Sequence, residues 1–198
     1  DAVQAHSESY IGLVEAGVGL VPAWGGSKEM TTRWMVNPKR PGGAMPAVSK
    51  FFEMLSTAHV ATSAEEAKEA LFLRPDDGVT MNRDRLLADA KAKALAIVDA
   101  GYAPPEAEEI SLPGPSGRAA LHLAVDTFRA NGMATPHDEV VAKRLAGIIT
   151  GGDTDITETV SEDDLLNLER DTFIDLIHTP ATLARIEHML ETGKPLRT

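Results

Sequence analysis

The chain has 198 residues, 43% of them hydrophobic and 25% charged, which is globular composition for one good-sized domain or two small ones. Its net charge of −11 repels nucleic-acid phosphate and no basic stripe stands against it, so no nucleic-acid partner is expected. With no cysteine, disulfides, thiolate metal sites and cysteine nucleophiles are excluded, and no apolar run approaches the ~20 residues of a membrane span.

Aromatics make up only 5%, so the core must be built mainly from Ala, Leu, Val, Ile and Met, which favours helices. The start, Asp1-Ala2-Val3-Gln4-Ala5-His6, has no initiator Met and no signal-like stretch. It reads as the end of a strand and gives the expectation of a piece of a longer chain. A reducing cytosol is the default compartment.

Residues 1–27 carry the only strand and Gly-loop character, with β-prone residues over Ser9–Val14 and glycines at 17, 19, 25 and 26. A helix is expected from Ser27, whose hydroxyl would cap it, to just before Asn37-Pro38. A Pro/Gly loop follows, then a helix over 46–57 with Phe51, Phe52, Met54 and Leu55 on a broad apolar face. Ser63 and Glu66 have the spacing of a capping box for a short helix that stops by Pro75-Asp76-Asp77-Gly78. Asn82 or Asp84 opens the longest helical pattern, with Leu86, Leu87, Ala90, Ala94, Ile97 and Val98 at spacings of three and four and Gly101 ending it.

The Pro/Gly-rich loop Ala103–Gly117 divides the chain, giving segments 1–103 and 104–198. Helices are expected in the second at 117–131, 137–149, 161–178 and 180–192. Thr179-Pro180 suits a helix start, because Pro is tolerated in the first turn.

Few side chains announce chemistry. Glu15 lies in an apolar, Gly-flanked segment, where a desolvated carboxyl suits proton transfer; the plain alternative is a surface carboxylate on a loop. Pro22-Ala23-Trp24-Gly25-Gly26-Ser27 places a Gly pair before a helix, where free N–H groups can face an anion, although structural turn glycines are the commoner explanation. The acidic run Asp153, Asp155, Glu158, Glu162, Asp163, Asp164 lacks the EF-hand glycine, and reads as a solvated loop plus a helix N-terminus. The six histidines form no zinc-ligand spacing, and Ser56, Ser116 and Ser161 sit in no nucleophile elbow.

The stretch Tyr10-Ile11-Gly12-Leu13-Val14-Glu15-Ala16-Gly17-Val18-Gly19-Leu20-Val21-Pro22-Ala23-Trp24-Gly25-Gly26 resembles the crotonase (enoyl-CoA hydratase/isomerase) superfamily. There a strand delivers a Gly-x-x-Glu unit, followed by a Pro-x-x-Gly-Gly turn and a helix. Thr62–Ala70 looks like that family's helix after the spiral core. Leu112-Pro113-Gly114, Gly151-Gly152-Asp153, Leu168–Phe173 and Met189–Arg197 resemble a bacterial group joining a 3-hydroxyacyl-CoA dehydrogenase to a C-terminal hydratase module.

The resemblance implies a mainly α chain: a C-terminal remnant of a crotonase-like β-spiral followed by a helical subdomain. It implies that Glu15 is one of two catalytic carboxyls acting on 2-enoyl-CoA, with Pro22, Ala23, Trp24, Gly25 and Gly26 against the substrate. The other glutamate and the oxyanion-binding N–H groups would lie upstream, so this chain alone is expected to be inactive. Ala23 and Trp24 depart from the Pro-Gly-Ala-Gly-Gly of many relatives, which puts pocket shape in question. The implied partners are acyl-CoA and a homo-oligomer, with no cofactor in this chain and NAD only for a dehydrogenase segment. An isomerase with a single catalytic glutamate, or a non-catalytic helical interaction module, are the alternatives.

Overall fold

The computed structural model describes residues 2–198. In chain order its elements are β1 (Gln4–His6), β2 (Ile11–Gly12), α1 (Gly26–Val36), α2 (Met45–Ser56), β3 (Val60–Ala61), α3 (Ala64–Glu69), β4 (Gly78–Thr80), α4 (Leu86–Asp99), β5 (Glu109–Ile110), α5 (Gly114–Ala130), α6 (Pro136–Ile149), β6 (Val160–Ser161), α7 (Glu162–Ile177) and α8 (Pro180–Thr192). The protein is thus mainly α. The strands form three two-stranded ladders, β1–β4 parallel, β2–β3 antiparallel and β5–β6 antiparallel. No described helix is long and apolar enough to cross a membrane.

Two compact units are built from non-contiguous segments. One runs to Gly12 and resumes over Val60–Ala107; the other joins Leu13–His59 to Glu108–Thr198. They are partitioned differently from the contiguous segments 1–103 and 104–198.

In the first unit the β1–β4 ladder is reinforced by side chains: Gln4 donates to the Thr80 hydroxyl at 2.8 Å, which donates to Asp89 at 2.9 Å. Ser63 caps α3 by accepting from the Glu66 N–H. Glu66 reaches back one residue further than a capping box requires, taking the N–H and hydroxyl of Thr62 instead of the Ser63 N–H. Asn82 caps a 3₁₀ turn over Arg83–Arg85, and α4 starts only at Leu86.

Helix α4 corrects two expectations. At 14 residues it is shorter than α5, with 17. Its apolar spacing does not produce burial: no residue of α4 is buried, and Leu87 and Val98 are 82% and 67% exposed. A helical period shows which residues share a face, but not that another element covers it.

The second unit holds the main core. Phe51 and Leu55 of α2, Leu145, Ile148 and Ile149 of α6, Leu165 and Leu176 of α7, and Val21 and Leu112 from loops are all essentially solvent-free. The four α2 residues Phe51, Phe52, Met54 and Leu55 are buried as their spacing predicts. Helix α5 begins three residues before the expected 117, because Pro113 and Pro115 suit a first turn that needs no N–H from them. Capping boxes at Thr135/Asp138 and Ser161/Asp164 start α6 and α7, and Thr179 caps α8.

The charged network around α1 sets a pH window. Burial alone would push the Glu29 carboxyl up, but the Arg33 guanidinium at 2.8 Å and Lys28 at 3.3 Å pull it down to about 2. Lys28 also binds Glu162 at 2.6 Å, and that bond lowers the Glu162 carboxyl. Such groups bind a proton less readily folded than unfolded. Their stabilisation is therefore in place above the ordinary value of 4.5 and is lost as pH falls from there toward 2. Urea midpoints should fall between pH 5 and pH 2.5, with Glu29 contributing about 1–2 kcal/mol after solvent screening. In Glu29→Gln that part of the slope should vanish.

Candidate functional site

Glu15 is not the end of a strand: β2 closes at Gly12, and Glu15 opens a single 3₁₀ turn, Glu15–Val18. The turn is closed by N–H groups of Gly17, Gly19 and Leu20 donating to Val14, Ala16 and Glu15 carbonyls at 2.9–3.1 Å. Its C-cap, Gly19, has φ +82°, and a Cβ there would sit 2.9 Å from His137 Nε2. Only glycine meets both conditions. Glu15 is half-buried; one carboxyl oxygen, Oε2, is buried and has no hydrogen-bond partner among the described residues.

Leu20 and Val21 then enter the core, and the chain turns at Pro22–Gly26. Ser27 does not cap α1 as expected. Its hydroxyl donates back to the Pro22 carbonyl at 2.6 Å, which fixes the turn, while Gly25 at φ +95° takes the N-cap position without a capping side chain of its own. The cap arrives from α7. Glu169, 1% exposed, accepts the Gly25 N–H at 2.7 Å on one oxygen and the Lys28 N–H on the other.

The anion facing the Gly25-Gly26 turn is thus a carboxylate of the chain itself. A helix start carries partial positive charge and unpaired N–H groups, which compensates a buried negative charge. Burial raises the Glu169 carboxyl, and the N–H groups of Lys28, Gly25 and Ser27 hold the rise back. Trp24, in the middle of the turn, is fully exposed in a left-handed conformation, φ +61°, which is uncommon for a bulky residue.

The acidic run after 153 is dispersed. Asp153 pairs with Arg118 at 2.7 Å, Asp155 accepts from both the N–H and the hydroxyl of Thr157, Glu162 binds Lys28, and Asp164 caps α7.

Behind the Glu15 turn lies a polar cluster that sequence reasoning missed. The Thr182 hydroxyl of α8 donates to the Gly19 carbonyl at 2.8 Å, and His137 Nε2 lies 2.8 Å from the same hydroxyl. His137 is pushed down by burial and then by the nearby Arg185. Arg185, 2% exposed, pairs with Asp138 at 2.8 Å. A signal existed for part of this: Glu169 falls one helical turn after Leu165 and two before Leu176, on the apolar face of α7.

This arrangement, a glutamate with one buried carboxyl oxygen on a short turn before a glycine-rich helix entry, belongs to a chain similar to proteins named for 3-hydroxyacyl-CoA dehydrogenase activity and for fatty acid oxidation. It is 42% identical over 195 residues to a Bacillus subtilis (strain 168) protein named as a probable 3-hydroxyacyl-CoA dehydrogenase, covering 98% of this chain and 24% of that protein. It is 24% identical over 187 residues to a Rickettsia prowazekii (strain Madrid E) protein named as a putative fatty acid oxidation complex trifunctional enzyme, covering 93% and 22%, and 27% identical over 191 residues to a protein of the same name from Rickettsia felis, covering 96% and 23%. The chain therefore spans about a quarter of the length of these relatives. No protein-family model matches it.

Proposed function

We propose that this chain is a portion of a longer fatty-acid β-oxidation enzyme of the 3-hydroxyacyl-CoA dehydrogenase type, and that it contributes Glu15 to hydration of a 2-enoyl-CoA. The observation that carries the reading is the buried, unpartnered Glu15 Oε2. An unpaired carboxyl oxygen costs stability, which supports reading Glu15 as a group kept for chemistry.

Hydration adds hydroxyl to C3 and a proton to C2 of the thioester. One carboxylate takes the proton of the attacking water, the double-bond electrons move toward the thioester oxygen, and a carboxyl returns a proton to C2. Glu15 would be one of the two carboxyls in this exchange. The other, and the N–H donors holding the thioester oxygen, would come from upstream sequence. Each such donor is typically worth about 3–4 kcal/mol, so the 198-residue chain alone would be inactive.

In this reading Glu169 locks the Pro22–Gly26 turn, and Trp24 offers its exposed indole to the acyl-CoA. NAD would serve only the dehydrogenase segment. The enzyme would be a cytoplasmic homo-oligomer, with the uncovered apolar residues of α4 supporting association.

Glu15→Gln in the intact enzyme, assayed on crotonyl-CoA, should lower kcat about 100-fold or more while leaving the fold unchanged. Undiminished turnover would remove Glu15 from the chemistry. A product with a shifted double bond and no added water would make the enzyme an isomerase.

A further inference from the structure

The cluster formed by His137, Thr182 and Gly19 has a direction that its hydrogen bonds determine. The Gly19 carbonyl can only accept, so the Thr182 hydroxyl spends its single proton there. The His137 ring must then donate from Nε2 into the Thr182 oxygen. The relay runs one way, imidazole N–H to hydroxyl to carbonyl, with the Thr179 hydroxyl as a second donor to the Thr182 oxygen at 2.8 Å, and ends on the left-handed glycine that closes the Glu15 turn.

A Cβ on Gly19 would meet both His137 Nε2 and Thr182 Oγ1, at 2.9 and 3.0 Å, so the turn lies directly against the relay. Glu15 opens that turn, and its carbonyl accepts the Leu20 N–H. The Gly19 carbonyl and the Leu20 N–H are two ends of one planar peptide group, so a shift of the carbonyl acts on the bond to Glu15.

We propose that Thr182, with His137 behind it, is a positioning residue that sets the placement of the Glu15 carboxyl for proton exchange. This rests on the reading of Glu15 given above and extends it to α6 and α8, whose sequence carries no catalytic signature. Neither residue touches substrate. Their effect is on the geometry of another group, and a misplacement of about 1 Å in such a group costs roughly 100-fold.

The test uses the intact enzyme on crotonyl-CoA, well below its unfolding temperature. Thr182→Val keeps the side-chain shape and removes the hydroxyl. It should lower kcat about 10- to 100-fold with KM within twofold, and Thr182→Ser should restore kcat to within about threefold. A merely structural role would lower the unfolding midpoint of Thr182→Val and leave kcat unmoved, which would overturn the proposal. So would an equal loss in Val and Ser.

If Thr182→Val fails to fold, the His137→Gln and His137→Leu pair decides. The Gln amide can donate to Thr182 and should preserve kcat; Leu cannot and should lose it. Glu15→Gln is run alongside. Activity surviving in Glu15→Gln overturns both readings, whereas activity lost there but intact in Thr182→Val overturns only the positioning role.

Discussion

Glu169→Leu is expected to destabilise the protein by about 3–5 kcal/mol, read as the change in urea-unfolding free energy at pH 7. Leucine fits the volume and relieves the desolvation of a charge, which offsets part of the loss. It leaves the part-buried Gly25 and Lys28 N–H groups facing apolar atoms without their acceptor. Hydrogen bonds to a charged acceptor are worth about 1.5–3 kcal/mol each, and the carboxylate also answers the positive end of α1. Glu169→Gln keeps one acceptor oxygen and turns an NH₂ toward the other donor, so about 1–2 kcal/mol should go. The pH signs differ from those of Glu29. Because burial raises the Glu169 carboxyl, the folded state takes up its proton before the unfolded state does. Its contribution therefore weakens as pH rises through the folded value and strengthens as pH falls toward 4.5. A loss under 1 kcal/mol in Glu169→Leu would show that the turn is held by Ser27 and Pro22 alone.

The C-terminal helices were legible because their ends are written in residues with one local job. Thr179-Pro180 starts α8, and the acidic residues Glu162, Asp163 and Asp164 fill the first turn of α7. Ser27 misled because the same hydroxyl can cap forward or bond backward; Gly25 at φ +95° turns the chain so that the Pro22 carbonyl meets it first. Helix α4 misled because periodicity shows a face and not its cover. At the site, sequence pointed to Glu15 and the glycine pair, but not to what holds them. Glu169 is 144 residues from Gly25, and Thr182 is 163 from Gly19. Contacts of that range depend on tertiary packing, which leaves no local spacing to read.

Arg185→Met should cost about 3 kcal/mol in the same measurement, near the lower end of the range for breaking a buried ion pair. Methionine replaces the guanidinium's bulk, and what is lost is a four-way anchor. Arg185 binds Asp138 at 2.8 Å and donates to the Thr135 hydroxyl, the Thr198 carbonyl and the Thr198 hydroxyl at 3.0, 3.0 and 3.2 Å. The figure is low in the range because Asp138 is about a quarter exposed and keeps the Thr135 N–H and Arg197. Asp138→Asn should cost a comparable amount, since it leaves the guanidinium buried at 2% exposure and weakens the capping box of α6. The double variant should lose less than the sum by about 1–3 kcal/mol, because the second substitution removes a charge already stranded by the first. Additive losses would mean the two side chains act independently. The histidine next door gives a second readout. Arg185 helps hold His137 below its ordinary range, so removing the guanidinium should move the His137 ring resonances to a higher titration midpoint. Burial, the larger cause, remains, so the midpoint should stay below 6.5.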